Sequence, residues 1–129
     1  ELYMPGLTND MLAIEVKKII GNQLVVCDSA EPKSIKELRQ YGVNAVGAKK
    51  GKDSVNHGIQ WLQQQTIVVD VKCQNMKNEL MKYKWKEDRN GNVLPIPVDK
   101  DNHLIDALRY AYEDEFFEKR PVLRKPSGW

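Results

Sequence analysis

Leu24-Val25-Val26-Cys27 is an unbroken apolar run closed by Asp28, and it stands between two segments whose apolar residues recur at helical spacing. A short run of this kind suits a strand buried on both faces of a parallel sheet, and parallel strands need a long crossover between them, usually a helix. The run therefore points to a chain in which strands and helices alternate. Upstream, Thr8 is placed to cap a helix, Asp10 lies in its first turn, Leu12, Val16, Ile19 and Ile20 form its stripe, and Gly21 ends it. Downstream, Pro32 suits a first helical position, Ile35, Leu38 and Tyr41 form a second stripe, and Gly42 sits where a terminating glycine belongs. Val43-Asn44-Ala45-Val46 reads as another strand. Ser54 is placed to cap a helix carrying Val55, Ile59 and Leu62, and the β-branched Thr66-Ile67-Val68-Val69-Asp70 reads as a third strand. A helix over residues 75–83 follows. Connections of two to six residues between these segments predict a three-layer α/β domain with a largely parallel sheet.

The pattern then changes. Tyr83-Lys84-Trp85-Lys86 and Val93-Leu94-Pro95-Ile96 flank a turn containing Asn90-Gly91, the pairing expected at the tip of a hairpin, and Pro95 and Pro97 confine that ribbon to an edge. A last helix is expected over residues 101–118, with Leu104, Ile105, Leu108, Ala111 and Tyr112 as its apolar set. Residues 1–120 are thus expected to form the domain and residues 121–129 a loose tail. No apolar run approaches the ~20 residues of a membrane span, and residues 1–3 offer no signal-peptide pattern, so an intracellular chain is expected. Cys27 and Cys73 are too few and too far apart for a disulfide framework or a zinc motif, and Cys27 reads as a buried thiol.

Charge is unevenly distributed. The formal net charge is only +2, yet residues 33–52 hold six Lys or Arg against one Glu, and residues 99–118 hold seven Asp or Glu against two Lys or Arg. Such a chain is suited to take a polyanion at one region and a cation at another. Asp28 is the first candidate, because side chains emerge toward ligands at the carboxyl ends of strands in open α/β sheets. His103 and Asp106 are spaced i, i+3 near the start of the last helix and share one face. If they meet Asp28 at the sheet edge, the oxygen-rich set suits Mg2+ or Mn2+, and two such ions activate water and stabilise the leaving oxygen in phosphodiester hydrolysis. Lys49, Lys50 and Lys52 lie in one loop. His57, Trp61, Tyr83, Trp85 and Tyr110 read as packing or surface residues, and the acidic run Glu113-Asp114-Glu115 with Glu118 reads as a solvated helix end.

Three stretches carry a resemblance: Val26-Cys27-Asp28-Ser29-Ala30-Glu31-Pro32-Lys33-Ser34, Ala48-Lys49-Lys50-Gly51-Lys52-Asp53-Ser54, and residues 97–110, which include His103-Leu104-Ile105-Asp106-Ala107. In order and spacing they resemble the nuclease domain of the large terminase subunits of tailed bacteriophages, within the ribonuclease H-like superfamily, from Gly6 to about Glu113. The resemblance implies metal-dependent cutting of concatemeric double-stranded DNA during genome packaging, in the cytoplasm of a bacterial host. It implies that Asp28 and Asp106 are catalytic metal ligands with His103 beside them as a catalytic or metal-binding residue, and that Lys49, Lys50 and Lys52 contact DNA phosphates. It also implies two ions, Mg2+ or Mn2+, in the intact site, and the portal protein and small terminase subunit as partners.

The resemblance has a gap. Ribonuclease H-like nucleases carry their first catalytic Asp on the first strand, and this sequence starts past the point where that strand would end, with Glu1-Leu2-Tyr3-Met4 similar to a remnant of the third. No GxxxxGK[ST] motor loop occurs in it. The expectation is a fragment lacking at least one ligand, cleaving DNA poorly or not at all, with exposed sheet edges that favour self-association. Two rivals remain: a Holliday-junction resolvase of the same superfamily, and a non-catalytic α/β binding domain in which Asp28 and Asp106 are mere caps.

Overall fold

A computed structural model of the chain describes residues 1–49, 51 and 53–116. The elements run α1 (Asn9–Ile20), β1 (Val25–Cys27), α2 (Pro32–Gln40), β2 (Ala45–Gly47), α3 (Ser54–Gln63), α4 (Gln74–Lys82), β3 (Trp85–Glu87), β4 (Val93–Pro97), α5 (His103–Ala111) and α6 (Glu113–Phe116). Pro32 opens α2 as expected, and Gly21 and Gly42, with φ of 59° and 89°, follow the first two helices.

β1 and β2 pair in parallel, with Val25 opposite Ala45 and Cys27 opposite Gly47. Ala48 N–H continues the ladder to Cys27 O at 2.7 Å, and Arg39 Nε donates to Ala45 O at 2.6 Å. The core lies where α1 and α2 meet this pair: Ala13, Ile35, Leu38, Val43 and Ala45 are buried, with Val25 and Cys27 packed on them. Burial pushes the Cys27 thiol pKa up, with Arg39 opposing. A second group, Ile59, Leu62, Ile105 and Phe116, fills the space among α3, α5 and α6, and α5 also packs against β1.

Several expectations are corrected. Residues 66–70 form no strand and pair with none among the described residues, and Val68 is 89% exposed. β-branched residues favour a strand only where a pleated neighbour covers them. Here Asp70 instead closes a turn by accepting Lys72 N–H at 2.8 Å. β1 is half-buried rather than covered on both faces, because among the described residues it pairs with β2 alone. Residues 1–4 form no strand; the Glu1 carboxylate accepts Asn75 N–H and Met76 N–H, each at 3.0 Å, capping α4 by a side chain.

The last helix does not run unbroken to residue 118 either. It breaks at Tyr112 and resumes as α6. The break turns Glu113 inward, so the acidic run is not simply solvated: Glu113 is buried and its Oε2 accepts Lys49 N–H at 2.8 Å. Residues 117–129, and with them Glu118 and the expected tail, lie outside the described residues. The hairpin forms as expected, β3 antiparallel to β4 with a register shift between Trp85 and Glu87. The Asp88 carboxylate closes its turn through Asn90 N–H at 2.8 Å and Asn92 N–H at 2.9 Å. Asn56 Nδ2 donates to Pro95 O at 2.9 Å and ties the ribbon to α3. Among the described residues no helix is long and apolar enough to cross a membrane.

Candidate metal centre

Asp28 stands immediately past the carboxyl end of β1, where the chain must turn into α2. Its Oδ1 accepts Ala30 N–H at 3.0 Å, a side-chain turn that anchors the carboxylate while leaving it exposed. Gly47 helps to seat this turn. A Cβ there would stand 3.2 Å from Ser29 Cβ, so the end of β2 needs a residue without a side chain for the turn to approach this closely.

Asp106 reaches the same region from α5. It is half-buried, and burial pushes its pKa up. The Arg109 guanidinium, with Nη2 3.3 Å from Asp106 Oδ1, opposes that push, whereas the charges of Asp28 and Asp99 add to it. Tyr110 reports the same field: burial raises its pKa first, then the charges of Asp106 and Asp28. Two carboxylates remote in sequence thus lie within electrostatic reach of each other. Like charges gathered on oxygen donors disfavour joint ionisation, and a divalent cation between them removes that penalty.

His103 lies one turn before Asp106 on α5. Its side chain is exposed at an open groove of about 670 Å³ formed with residues 2–5, Leu104 and Ala107. Among the described residues no group of three or more His, Cys, Asp or Glu side chains is disposed to hold a metal ion. The described fold thus brings the charges of Asp28 and Asp106 within reach of each other, while His103, one turn before Asp106, faces the groove lined by residues 2–5.

Lys49 is held beside α6. Its backbone N–H is taken by Glu113 and its Nζ lies 2.7 Å from Asp114 Oδ1, a contact that raises the ammonium pKa. Both partners of that ion pair are largely exposed, so exchange of Asp114 for a phosphate oxygen is inexpensive. Lys50 and Lys52 lie outside the described residues. His57 falls away from the centre: its Nε2 is 2.7 Å from Phe116 O, joining α3 to α6. Trp61 packs against Tyr112 and Phe116, at ring-centroid distances of 5.6 Å and 6.2 Å.

Three residues beside the candidate site residues make contacts that the sequence reading does not include. Arg109 is buried with its guanidinium carbon 4.8 Å from the centroid of the Tyr110 ring, and its i, i+3 spacing from Asp106 was a usable signal. Asp99 and Glu113 belong to the acidic stretch, within which nothing in the sequence separates a buried carboxylate from a solvated one.

Comparison with known proteins places the chain in a family. The chain is 45% identical over 93 residues to the large terminase subunit of Bacillus phage SPP1, covering 69% of this chain and 22% of that protein. It is 34% identical over 116 residues to the PBSX phage terminase large subunit of Bacillus subtilis strain 168, covering 88% of this chain and 27% of that protein. It thus spans about a quarter of each relative's length. Its structure matches that of the large-terminase nuclease domain of bacteriophage SPP1, solved with bound Mn, at a TM-score of 0.78 and 39% identity, covering 84% of this chain and 64% of that one. The large terminase of a thermophilic bacteriophage shares the fold at a TM-score of 0.61 and 24% identity, over 81% of this chain and 28% of that one. The expected α/β, ribonuclease H-like fold is borne out. Since the model of the terminase RNase H-like domain matches residues 1–114 as well, the chain belongs to that family.

Proposed function

We propose that the chain is the metal-dependent endonuclease module of a phage or prophage large terminase, cutting concatemeric double-stranded DNA during packaging in the host cytoplasm. The observation that carries the reading is that α5 packs against β1 and brings Asp106 within electrostatic reach of Asp28, just past the end of β1, in a fold that matches a Mn-bound nuclease domain. The donor set fits Mg2+ or Mn2+, since both groups are carboxylates and the charge of Asp28 adds to the burial that makes Asp106 harder to ionise. Bound there, two divalent ions supply the Lewis acidity that activates water and stabilises the leaving oxygen. Asp28 and Asp106 hold the ions, and His103, a turn away, ligates or orients water and the scissile phosphate. Lys49, Lys50 and Lys52 grip the DNA backbone without reading its sequence. The portal protein and small terminase subunit are the partners that packaging requires.

A two-ion site takes more ligands than the two carboxylates that the described residues gather, so the 129 residues alone are expected to cleave DNA weakly. The decisive measurement is therefore binding. Isothermal titration with Mn2+ is expected to show a site that disappears in Asp28→Ala and in Asp106→Ala and persists in Asp70→Ala, whose carboxylate only closes a turn. Binding that survives both of the first two substitutions, or is absent in the wild type, overturns the reading and favours a non-catalytic domain. The edge of β1 that β2 does not cover is also expected to pair between chains at high concentration. A strictly monomeric species in light scattering counts against that.

A further inference from the structure

Glu79 lies on α4, apart from the carboxylate pair, and is only 6% exposed. Its Oε2 accepts Leu104 N–H at 2.6 Å, while its Oε1 is buried with no hydrogen-bond partner among the described residues. An acceptor left empty in the interior is costly, and an apolar residue of similar size would fill an α4–α5 contact without that cost. What the carboxylate adds is a hold on α5. Asn102, the residue before α5, makes no side-chain capping bond, and Glu79 reaches across from another helix to a first-turn N–H. Leu104 sits between His103 and Asp106. Fixing its N–H sets the axial position and rotation of that turn, and with them the directions of both site side chains. The anchor is itself anchored, since the Glu1 carboxylate caps the start of α4.

We propose that Glu79 is a positioning residue for the metal centre, fixing the first turn of α5 so that His103 and Asp106 present their donors. The inference rests on the metal-binding reading above and extends it to a residue that touches neither ion nor DNA. Outer-shell partners of metal ligands act in this way, by orienting the donors.

The test combines Mn2+ affinity from isothermal titration with hydrogen exchange of the Leu104 amide by NMR, in wild type, Glu79→Gln and Glu79→Asp, with Asp28→Ala marking the loss of a ligand. Glu79→Gln keeps an oxygen at the same reach and is expected to preserve Leu104 protection and most of the Mn2+ affinity. Glu79→Asp keeps the charge but withdraws the oxygen, and is expected to lose Leu104 protection and about tenfold or more in affinity. If Glu79→Asp loses the protection yet binds Mn2+ like the wild type, Glu79 serves helix stability alone and the proposal is overturned. Loss of affinity in Glu79→Gln with Leu104 protection kept overturns it too, because the charge and not the reach would then matter. A wild type that binds no Mn2+ overturns the functional reading and this inference with it. Binding through Asp28 that ignores Glu79 overturns the inference alone.

Discussion

Asp106→Ala in a full-length large subunit carrying this domain is expected to lower Mn2+-dependent cleavage of double-stranded DNA by at least about 100-fold, the upper end of what loss of an outer-shell partner costs a metal site. A donor carboxylate is removed here rather than a supporting group, so the effect belongs beyond that range. Alanine also deprives Arg109, which is buried, of the carboxylate it pairs with at 3.3 Å. Asp106→Asn separates the two consequences: it keeps the shape and an oxygen for Arg109 but loses the charge that holds a cation. If the carboxylate is a metal ligand, both variants lose cleavage alike while Asn unfolds closer to the wild-type temperature. Cleavage by Asp106→Asn within about tenfold of wild type, less than most ligand losses allow, would show that the carboxylate binds no catalytic metal.

Much of this arrangement was legible because its signals are local. Pro32 and Gly42 bracket α2, Asn90-Gly91 marks the hairpin turn, and the apolar run ending at Asp28 delivers a carboxylate to a strand end, each within a few residues of sequence. The i, i+3 spacing likewise placed His103 and Asp106 on one turn of α5. The missed features depend on partners distant in the chain. Residues 66–70 have the composition of a strand, but a strand exists only when another pairs with it, and Val68 is left in solvent. Glu79 and Glu113 resemble any surface glutamates until the fold brings Leu104 N–H to one and Lys49 N–H to the other. Buried carboxylates of this kind are chosen by backbone donors elsewhere in the molecule, and no periodicity records that choice.

Gly58→Ala carries the second large effect, and its sign runs against helix propensity. Inside a helix, alanine is favoured over glycine by ~1 kcal/mol, so in an open stretch of α3 the change would stabilise the chain. At Gly58 a Cβ would stand 2.7 Å from both Cγ and Cδ of Arg109 and 3.1 Å from Cζ of Phe116. These are not free chain ends: the Arg109 stem is buried and its guanidinium is held by Asp106, while Phe116 packs on Trp61. Overpacking at such a point costs about 1–3 kcal/mol, enough to cancel the propensity gain and leave a net loss. At roughly 4 °C per kcal/mol, a fall in Tm of several degrees is expected by calorimetry. The displacement also has a direction, because moving the Arg109 stem off α3 pulls on the ion pair at Asp106, so Mn2+ affinity is expected to fall along with stability. Arg109→Met with Gly58→Ala separates the two effects. Methionine is unbranched and bends away from the new methyl group, so Tm is expected to recover part of its loss, while Asp106 still lacks its guanidinium partner. A Gly58→Ala chain that melts at or above the wild-type temperature would show that α3 and α5 do not approach as closely as the Gly58–Arg109 contact requires.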